Sequence, residues 1–182
     1  MDYRLIRLAS YGLSVTDVSD VLMGAQFDVP AGSFKSDDQE LIVRSAQCSA
    51  LMPMMQFSVA PWRVLSEENM TICREMALLH AKMGPEILEM AKASANSGEP
   101  IVRPMEYMYP HQGFAEIKDQ FLLGENILVA PVLEKGARSR SVIFPPGEWR
   151  GDDGSLVEGP CTKTIDVPLA RLPWYRKVGL PR

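Results

Sequence analysis

The chain has 182 residues, a length that fits one or two domains. Hydrophobic residues make up 46% and charged residues 23%, so the chain has enough apolar surface for a globular core. The net charge of −4 and the absence of a basic run argue against a nucleic-acid partner, and no apolar run approaches the roughly 20 residues that a transmembrane segment needs.

The N-terminal stretch, residues 1–12, predicts the start of a helix that leads directly into a strand. It lacks the continuous apolar segment and the cleavage site that are typical of a signal peptide. Neither the localisation nor the oligomeric state follows from the sequence. We expect a chain with this start to begin in the middle of a fold.

The first half of the chain alternates strand-like and helix-like segments. Residues 13–18 favour a strand, and residues 24–35 favour a loop. Ser36, which acidic residues follow, predicts the cap of a helix that reaches about residue 50. Pro53 ends this helix because it restricts the preceding residue to extended backbone, and residues 54–59 predict the next strand.

A longer helical segment begins at Ser66, whose hydroxyl suits an N-cap and precedes two glutamates. Gly84 and Pro85 predict an interruption, after which a second helix ends at Gly98. Strands separated by helices indicate a parallel sheet with right-handed crossovers. Two such strands are too few for a closed barrel, so this α/β part is either the end of a barrel or a small open sheet.

The second half changes character, because short β-favouring runs alternate there with turn signals. This succession favours an antiparallel β-sandwich, and we place a domain boundary near residue 105. The β-favouring runs are IVRPM, QFLLG, NILVAPVL, SRSVIFP, KTIDVPL and LPWYRKVG. The turn signals lie at residues 124–126, 145–147, 152–154 and 158–160.

The cysteines and histidines show no spacing that is typical of a metal site. Cys48, Cys73 and Cys161 match no zinc pattern, and their odd number argues against a complete disulfide framework while leaving a single bridge open. His80 and His111 lie far apart in the sequence. We therefore assign no metal and no organic cofactor.

Four stretches of the chain form a recognisable set. They are PMMQFSVAPW (53–62), GEPIVRPM (98–105), DQFLLGENILVAPVLEKGARSRSVIFPPGEWR (119–150) and VPLARLPWY (167–175). Together these stretches resemble glycoside hydrolase family 31, and the third is the most specific. In that family, such a run lies where the catalytic barrel joins a β-sandwich. QFSVAPW is most similar to the α-galactosidase-like branch of the family.

The resemblance implies a retaining α-glycosidase built on a (β/α)8 TIM barrel, in which two aspartates act as nucleophile and acid/base. In the family both aspartates lie on earlier barrel strands, so the isolated chain is expected to be inactive. Residues 1–104 would form the C-terminal portion of the barrel, and residues 105–182 the β-sandwich C-terminal domain. The resemblance also implies an α-linked carbohydrate as substrate. Members of the family often work in the secretory pathway or the lysosome, but the localisation of this chain stays unknown.

The resemblance assigns substrate binding to three residues. Asp20 matches a carboxylate that binds sugar hydroxyls after the seventh strand, in an Asp-x-x-Gly-Gly pattern, although Met23 replaces the first glycine and Asp17 is a rival. Ser58 stands where the α-glucosidases carry a pocket histidine, which is consistent with a galactoside preference. Trp62 follows in the loop and would stack on a sugar ring.

Each of these assignments competes with a structural interpretation. Without the resemblance, Asp20 would suit a cap of a backbone amide better, and Trp62 would equally suit packing beneath its loop. Arg103 and Asp119 suit ion pairs or backbone contacts better than ligand binding. The alternative functions are a non-catalytic sugar-binding or interaction module and an inactive truncated fragment.

Overall fold

The computed structural model describes residues 39–57 and 59–179, all of which lie in one compact unit, Asp38–Arg182. Its elements are α1 (Gln39–Ala50), a 3-10 turn (Pro61–Arg63), α2 (Glu67–Ser97), β1 (Val102–Pro104), α3 (Met105–Met108), β2 (Phe121–Leu123), β3 (Ile127–Val129), β4 (Ser139–Gly151), β5 (Leu156–Asp166) and β6 (Trp174–Lys177). The strand predicted for residues 13–18 and the Ser36 cap lie outside the described residues. None of the described helices is both long and apolar enough to cross a bilayer.

Helices α1 and α2 lie side by side and run parallel. At their N-terminal ends, Asn69 Nδ2 donates a hydrogen bond to Gln39 Oε1 at 2.8 Å. At the end of α1, His80 Nδ1 lies 3.1 Å from the carbonyl oxygen of Ala50. Both contacts join residues 30 positions apart, so the two helices share one direction. The connection, residues 51–66, must therefore return along the whole length of α1.

The strand predicted for residues 54–59 is not formed by the described part of this connection, residues 54–57 and 59. The segment still shows a strand-like alternation, since Met55 and Phe57 pack against the helices while Met54 and Gln56 are exposed. A strand needs a neighbour for its N–H and C=O groups. No described strand lies beside this segment. It therefore has the alternating side chains of a strand but lacks the backbone hydrogen bonds of a β-ladder.

Helix α2 is one continuous helix of 31 residues, whereas the sequence predicts two. Pro85 lies inside it, where a proline removes one hydrogen bond and costs about 3 kcal/mol. Met83 and Ile87 on either side are buried in the core, and this packing keeps the helix intact. The ends are as predicted: the Ser66 hydroxyl accepts a hydrogen bond from a backbone N–H, and Gly98 has φ 79°.

Six strands form one sheet in the order β1-β2-β3-β6-β4-β5, and every pairing is antiparallel. All six predicted runs contribute a strand, and the sheet fits the predicted β-sandwich. The parallel sheet predicted for the first half is not seen among the described residues. Strand β1 precedes residue 105, where we place the domain boundary, and that boundary stays a prediction.

Two predicted turns, at residues 145–147 and 158–160, lie instead inside the long hairpin of β4 and β5. The register shifts between Phe144 and Gly147, so prolines are accommodated where the ladder does not need their N–H groups. Gly159 is required at this point, because a Cβ would overlap with the backbone of Pro145. The turns predicted at residues 124–126 and 152–154 are present.

Two hydrophobic cores lie on opposite faces of the sheet, because successive side chains of a strand point to opposite sides. In the first core, α1 and α2 cover Leu123, Ile127 and Val129. In the second core, residues 105–117 cover Leu122, Leu128, Val142, Phe144, Trp149 and Tyr175. The helices therefore share a core with the sheet and do not form a separate hydrophobic unit.

Candidate functional site

Only one of the three predicted sugar-binding residues lies within the described residues. Asp20 and Ser58 lie outside them, so their roles in sugar binding stay predictions. Trp62 is in the 3-10 turn Pro61–Arg63, and 73% of its surface is exposed. Its ring therefore does not pack beneath the loop, and a ligand can reach it.

The turn that carries Trp62 is held by both helices. The backbone N–H of Leu65 donates to the carbonyl oxygen of Pro61 at 2.9 Å, which closes the turn. Gln39 on α1 accepts from the backbone N–H of Ser66 at 2.9 Å. Because Ser66 is also the N-cap of α2, the position of the tryptophan is fixed relative to both helices.

Three apolar residues on the connection between the helices, one of them Trp62, are exposed. Met54 is 82% exposed and Val59 is 46% exposed, and we call these two residues with Trp62 the connection patch. Residues 51–65 contain no aspartate or glutamate. The patch can therefore bind the apolar face of a ligand, but it supplies no nucleophile and no general acid.

A concave surface lies on the β4–β5 hairpin. It is an open depression of about 590 Å³, lined by Gly147, Glu148, Leu156, Val157, Glu158 and Gly159. Glu148 is directly opposite Glu158 in the register, and Gly147 is opposite Gly159. Sequence reasoning missed this surface because both segments look like turns, and only the strand register brings the two carboxylates together.

Arg103 and Asp119 have the structural roles that the sequence predicts. Arg103 Nε donates to the carbonyl oxygen of Pro100 at 2.8 Å, and Arg103 Nη1 lies 3.2 Å from Glu125 Oε1. Asp119 Oδ2 accepts from Arg140 Nη2 at 2.8 Å. These contacts fix β1 and β4 within the sheet.

The thiols and the acidic groups of the described residues form no metal centre. All three cysteines are free, and burial raises the pKa of Cys48 and of Cys73, which disfavours the reactive thiolate. Among residues 39–57 and 59–179, no group of three or more His, Cys, Asp or Glu side chains has a metal-binding arrangement.

Comparison with known sequences identifies relatives among glycosidases. Residues 98–180 match the family model described as the glycosyl hydrolase family 31 C-terminal domain. The chain is 40% identical over 134 residues to the Myogenesis-regulating glycosidase of Mus musculus, covering 72% of this chain and 19% of that protein. It is 30% identical over 187 residues to the 1,3-alpha-isomaltosidase of Kribbella flavida, covering 90% of this chain and 25% of that protein.

The fold leads to the same group of proteins. The GH31 dextranase of Flavobacterium johnsoniae, solved as a complex with glucose, matches 78% of this chain and 18% of its own length, with a TM-score of 0.72 and 31% identity. The chain spans a quarter or less of the two curated relatives named above. Since both the sequence of its C-terminal domain and its fold match these proteins, the chain belongs to glycoside hydrolase family 31.

Proposed function

We propose that the chain is the C-terminal part of a retaining α-glycosidase with a galactosidase-like preference. The match of residues 98–180 to the family 31 C-terminal domain is the observation that carries the hydrolase class. The preference for galactosides rests on the QFSVAPW stretch, in which Ser58 takes the position of a pocket histidine. A hydroxyl cannot make the charged contact of an imidazolium, so different sugar hydroxyls would be favoured.

In this proposal, residues 1–104 form the last βα units of a (β/α)8 barrel and residues 105–182 form the β-sandwich domain. The parallel direction of α1 and α2 supports the barrel. In successive βα units of a barrel the helices are parallel, and the chain returns between them through a strand. The alternating burial of residues 54–57 is also that of a barrel strand, whose side chains point in turn to the helices and to the interior.

The proposed chemistry needs two aspartates. One attacks the anomeric carbon and forms a covalent glycosyl intermediate, while the other protonates the leaving group and then activates water. The family resemblance gives neither aspartate a counterpart in these 182 residues, so another part of the barrel would supply both. The residues of this chain would bind the sugar: Asp20 would accept its hydroxyls, Ser58 would set the preference, and Trp62 would stack on the ring.

Hydrolysis assays with nitrophenyl α-galactoside and α-glucoside test this function. The purified chain should release no nitrophenol from either substrate. A chimera, in which the chain replaces the matched region of the mouse glycosidase, should cleave the galactoside faster than the glucoside. Trp62→Ala in the chimera should raise KM about tenfold, which is about 1.4 kcal/mol of lost sugar contact. Turnover by the chain alone that Asp20→Ala abolishes would refute the proposed division of labour.

Non-catalytic sugar binding by the sheet domain is the second candidate, and the depression on the β4–β5 hairpin favours it. The carboxylates of Glu148 and Glu158 can each accept hydrogen bonds from sugar hydroxyls. Isothermal titration of the whole chain with galactosides and glucosides tests this candidate. It predicts binding that Glu148→Gln together with Glu158→Gln weakens, and heats equal to dilution would eliminate it at the concentrations used.

A further inference from the structure

The N-terminus of α2 is capped in part by a side chain from α1. In a capping box, the N-cap hydroxyl accepts from the backbone N–H at position N3, and the N3 side chain accepts from the N-cap N–H. Here the Ser66 hydroxyl accepts from the backbone N–H of Asn69 at 3.3 Å, as in a capping box. The N-cap N–H, however, donates to Gln39 Oε1 of α1 at 2.9 Å. Gln39 therefore supplies the half of the motif that residue N3 usually provides.

The orientation of two side-chain amides follows from this contact. The backbone N–H of Ser66 can only donate, so the atom of Gln39 that faces it must be the oxygen. The same oxygen lies 2.8 Å from Asn69 Nδ2, which donates to it. One acceptor on the first residue of α1 thus holds both the N-cap and position N3 of α2. An alanine at position 39 would leave both donors without this acceptor.

The capped end of α2 directly follows the turn that carries Trp62. Because 73% of the surface of Trp62 is exposed, packing of its own ring contributes little to where it lies. Its position depends on the closed turn, in which the N–H of Arg63 donates to the carbonyl oxygen of Ala60 at 2.9 Å, and on the anchor at Ser66. Loss of the anchor that Gln39 provides would let the turn, and the indole with it, move relative to α1.

We propose that Gln39 is a positioning residue for sugar binding, because its cap on α2 holds the indole of Trp62 where a sugar ring can stack on it. This inference rests on the proposed function, in which Trp62 is a sugar ligand. Gln39 also begins the helix that follows the segment with the predicted ligand Asp20, so it links the segments of two proposed ligands. Since ring contacts weaken steeply with distance, a displaced indole would bind the sugar less well.

The test measures the position of the indole and the kinetics separately. In the full chain, the NMR signal of the Trp62 indole N–H is assigned by its absence from Trp62→Phe. Gln39→Ala should shift or broaden this signal, whereas Gln39→Glu should keep it in place, because a carboxylate still accepts from both donors. In the chimera with the mouse glycosidase, Gln39→Ala should raise KM for the galactoside about fivefold and change kcat by less than about twofold. Gln39→Glu should restore KM to within about twofold.

The matched control is Gln47→Ala on the same helix, about 12 Å further along its axis. Gln47 is fully buried and donates to the carbonyl oxygen of Leu169, so its loss lowers stability away from the turn. It should change neither KM nor the indole signal. In the Trp62→Ala background, Gln39→Ala should raise KM by less than about twofold, because its effect is transmitted through the indole.

An equal rise in KM with Gln47→Ala would show that Gln39 acts only through stability. A full rise in the Trp62→Ala background would refute transmission through the indole. An indole signal that Gln39→Ala leaves unchanged would refute the positioning itself. A chimera that cleaves no galactoside would contradict the proposed function and with it the sugar role of Gln39, while the indole signal would still decide whether Gln39 positions Trp62.

Discussion

At the scale of single residues, Gln120 shows how one side chain can replace a strand. It is 4% exposed, and its amide lies beside β4 where the sheet has no neighbouring strand among the described residues. Gln120 Oε1 accepts from the backbone N–H of Ile143 at 3.1 Å, and Nε2 donates to the carbonyl oxygen of the same residue at 2.6 Å. One side chain thereby satisfies both backbone groups of a partly buried strand position.

We expect Gln120→Ala to lower the free energy of unfolding by about 1–3 kcal/mol, because it leaves the N–H and C=O of the partly buried Ile143 without their partner. Urea denaturation measures the change. The matched control is Gln112→Ala, since Gln112 is exposed and its loss should change stability by less than about 0.5 kcal/mol. Equal stabilities of the two variants would show that the Gln120 amide has no such role.

Tyr175 gives the chain a sensitivity to alkaline pH. Its side chain is 1% exposed, and burial raises the pKa of its phenol from 10.0 to about 12. The folded state thus favours the neutral phenol, and this contribution of about 2–3 kcal/mol is complete below pH 10. It should be lost as the pH rises to about 12. Denaturation between pH 9 and pH 12 should show a smaller loss for Tyr175→Phe, and parallel curves for both proteins would contradict this assignment.

At the scale of elements, α2 has two glycines with opposite roles. Gly84 lies inside the helix, and a Cβ there would meet nothing within 4 Å. Gly98 ends the helix with φ 79°, a backbone conformation that L side chains rarely adopt. Gly84 only increases the conformational entropy of the unfolded chain, whereas Gly98 is needed for the C-cap.

We expect Gly84→Ala to stabilise the protein by about 0.5–1 kcal/mol, because alanine restricts the unfolded chain and has a higher helix propensity. Gly98→Ala should destabilise it by about 1 kcal/mol, because φ is positive there. Chemical denaturation of both variants provides the comparison. If Gly84→Ala lowers stability, then Gly84 has a packing role that the open space around it does not indicate.

At the scale of the whole molecule, ion pairs tie α1 to the loop before β4 and α2 to the sheet. On α1, Glu40 accepts from Arg138 Nη1 at 2.9 Å and from the backbone N–H of Gly136 at 3.1 Å. On α2, both carboxylate oxygens of Glu86 accept from Arg176 at 2.8 Å. These networks lie beside the first core, so the packing of helices on the sheet depends partly on charge.

Glu40 and Glu86 should make the stability of the protein sensitive to acid. Burial opposes ionisation of Glu40, but the hydrogen bonds from Arg138 and Gly136 outweigh it and lower the pKa below 4.5. The hydrogen bond from Arg176 lowers the pKa of Glu86 against the opposing effect of burial. Because the folded-state pKa values are depressed, their stabilisation is present above pH 4.5 and is lost as the pH falls through them.

The expected result is a fall in stability between pH 4.5 and pH 3 that is smaller in Glu86→Gln than in the unchanged chain. Thermal melting across this range measures it, and Glu89→Gln serves as the control because Glu89 makes only an exposed pair with Lys92 on the same helix. An equal fall in all three proteins would place the acid sensitivity elsewhere.

Much of the local structure follows from short-range chemistry. Ser66 and Gly98 mark the ends of α2, and apolar runs mark the six strands, because capping and strand preference depend on neighbouring residues. The motifs of the third stretch led to the correct family for the same reason, since they lie close together in the sequence. The sequence alone indicates Trp62 as a sugar-stacking residue, whereas the exposure of its side chain is seen only in the structure.

The tertiary structure decided what depends on distant partners. Helix α2 passes through Pro85 because Met83 and Ile87 pack in the core that the helices share with the sheet. Residues 54–57 form no strand, and no strand of residues 39–57 and 59–179 lies beside them. The prolines at residues 145–147 and 158–160 lie within strands because β4 and β5 pair around a register shift. The sequence alone determined which segments favour a helix, a strand or a cap. Long-range packing and strand pairing determined which of these preferences the fold realises. The reason is that the free energies of packing and pairing exceed those of local propensities.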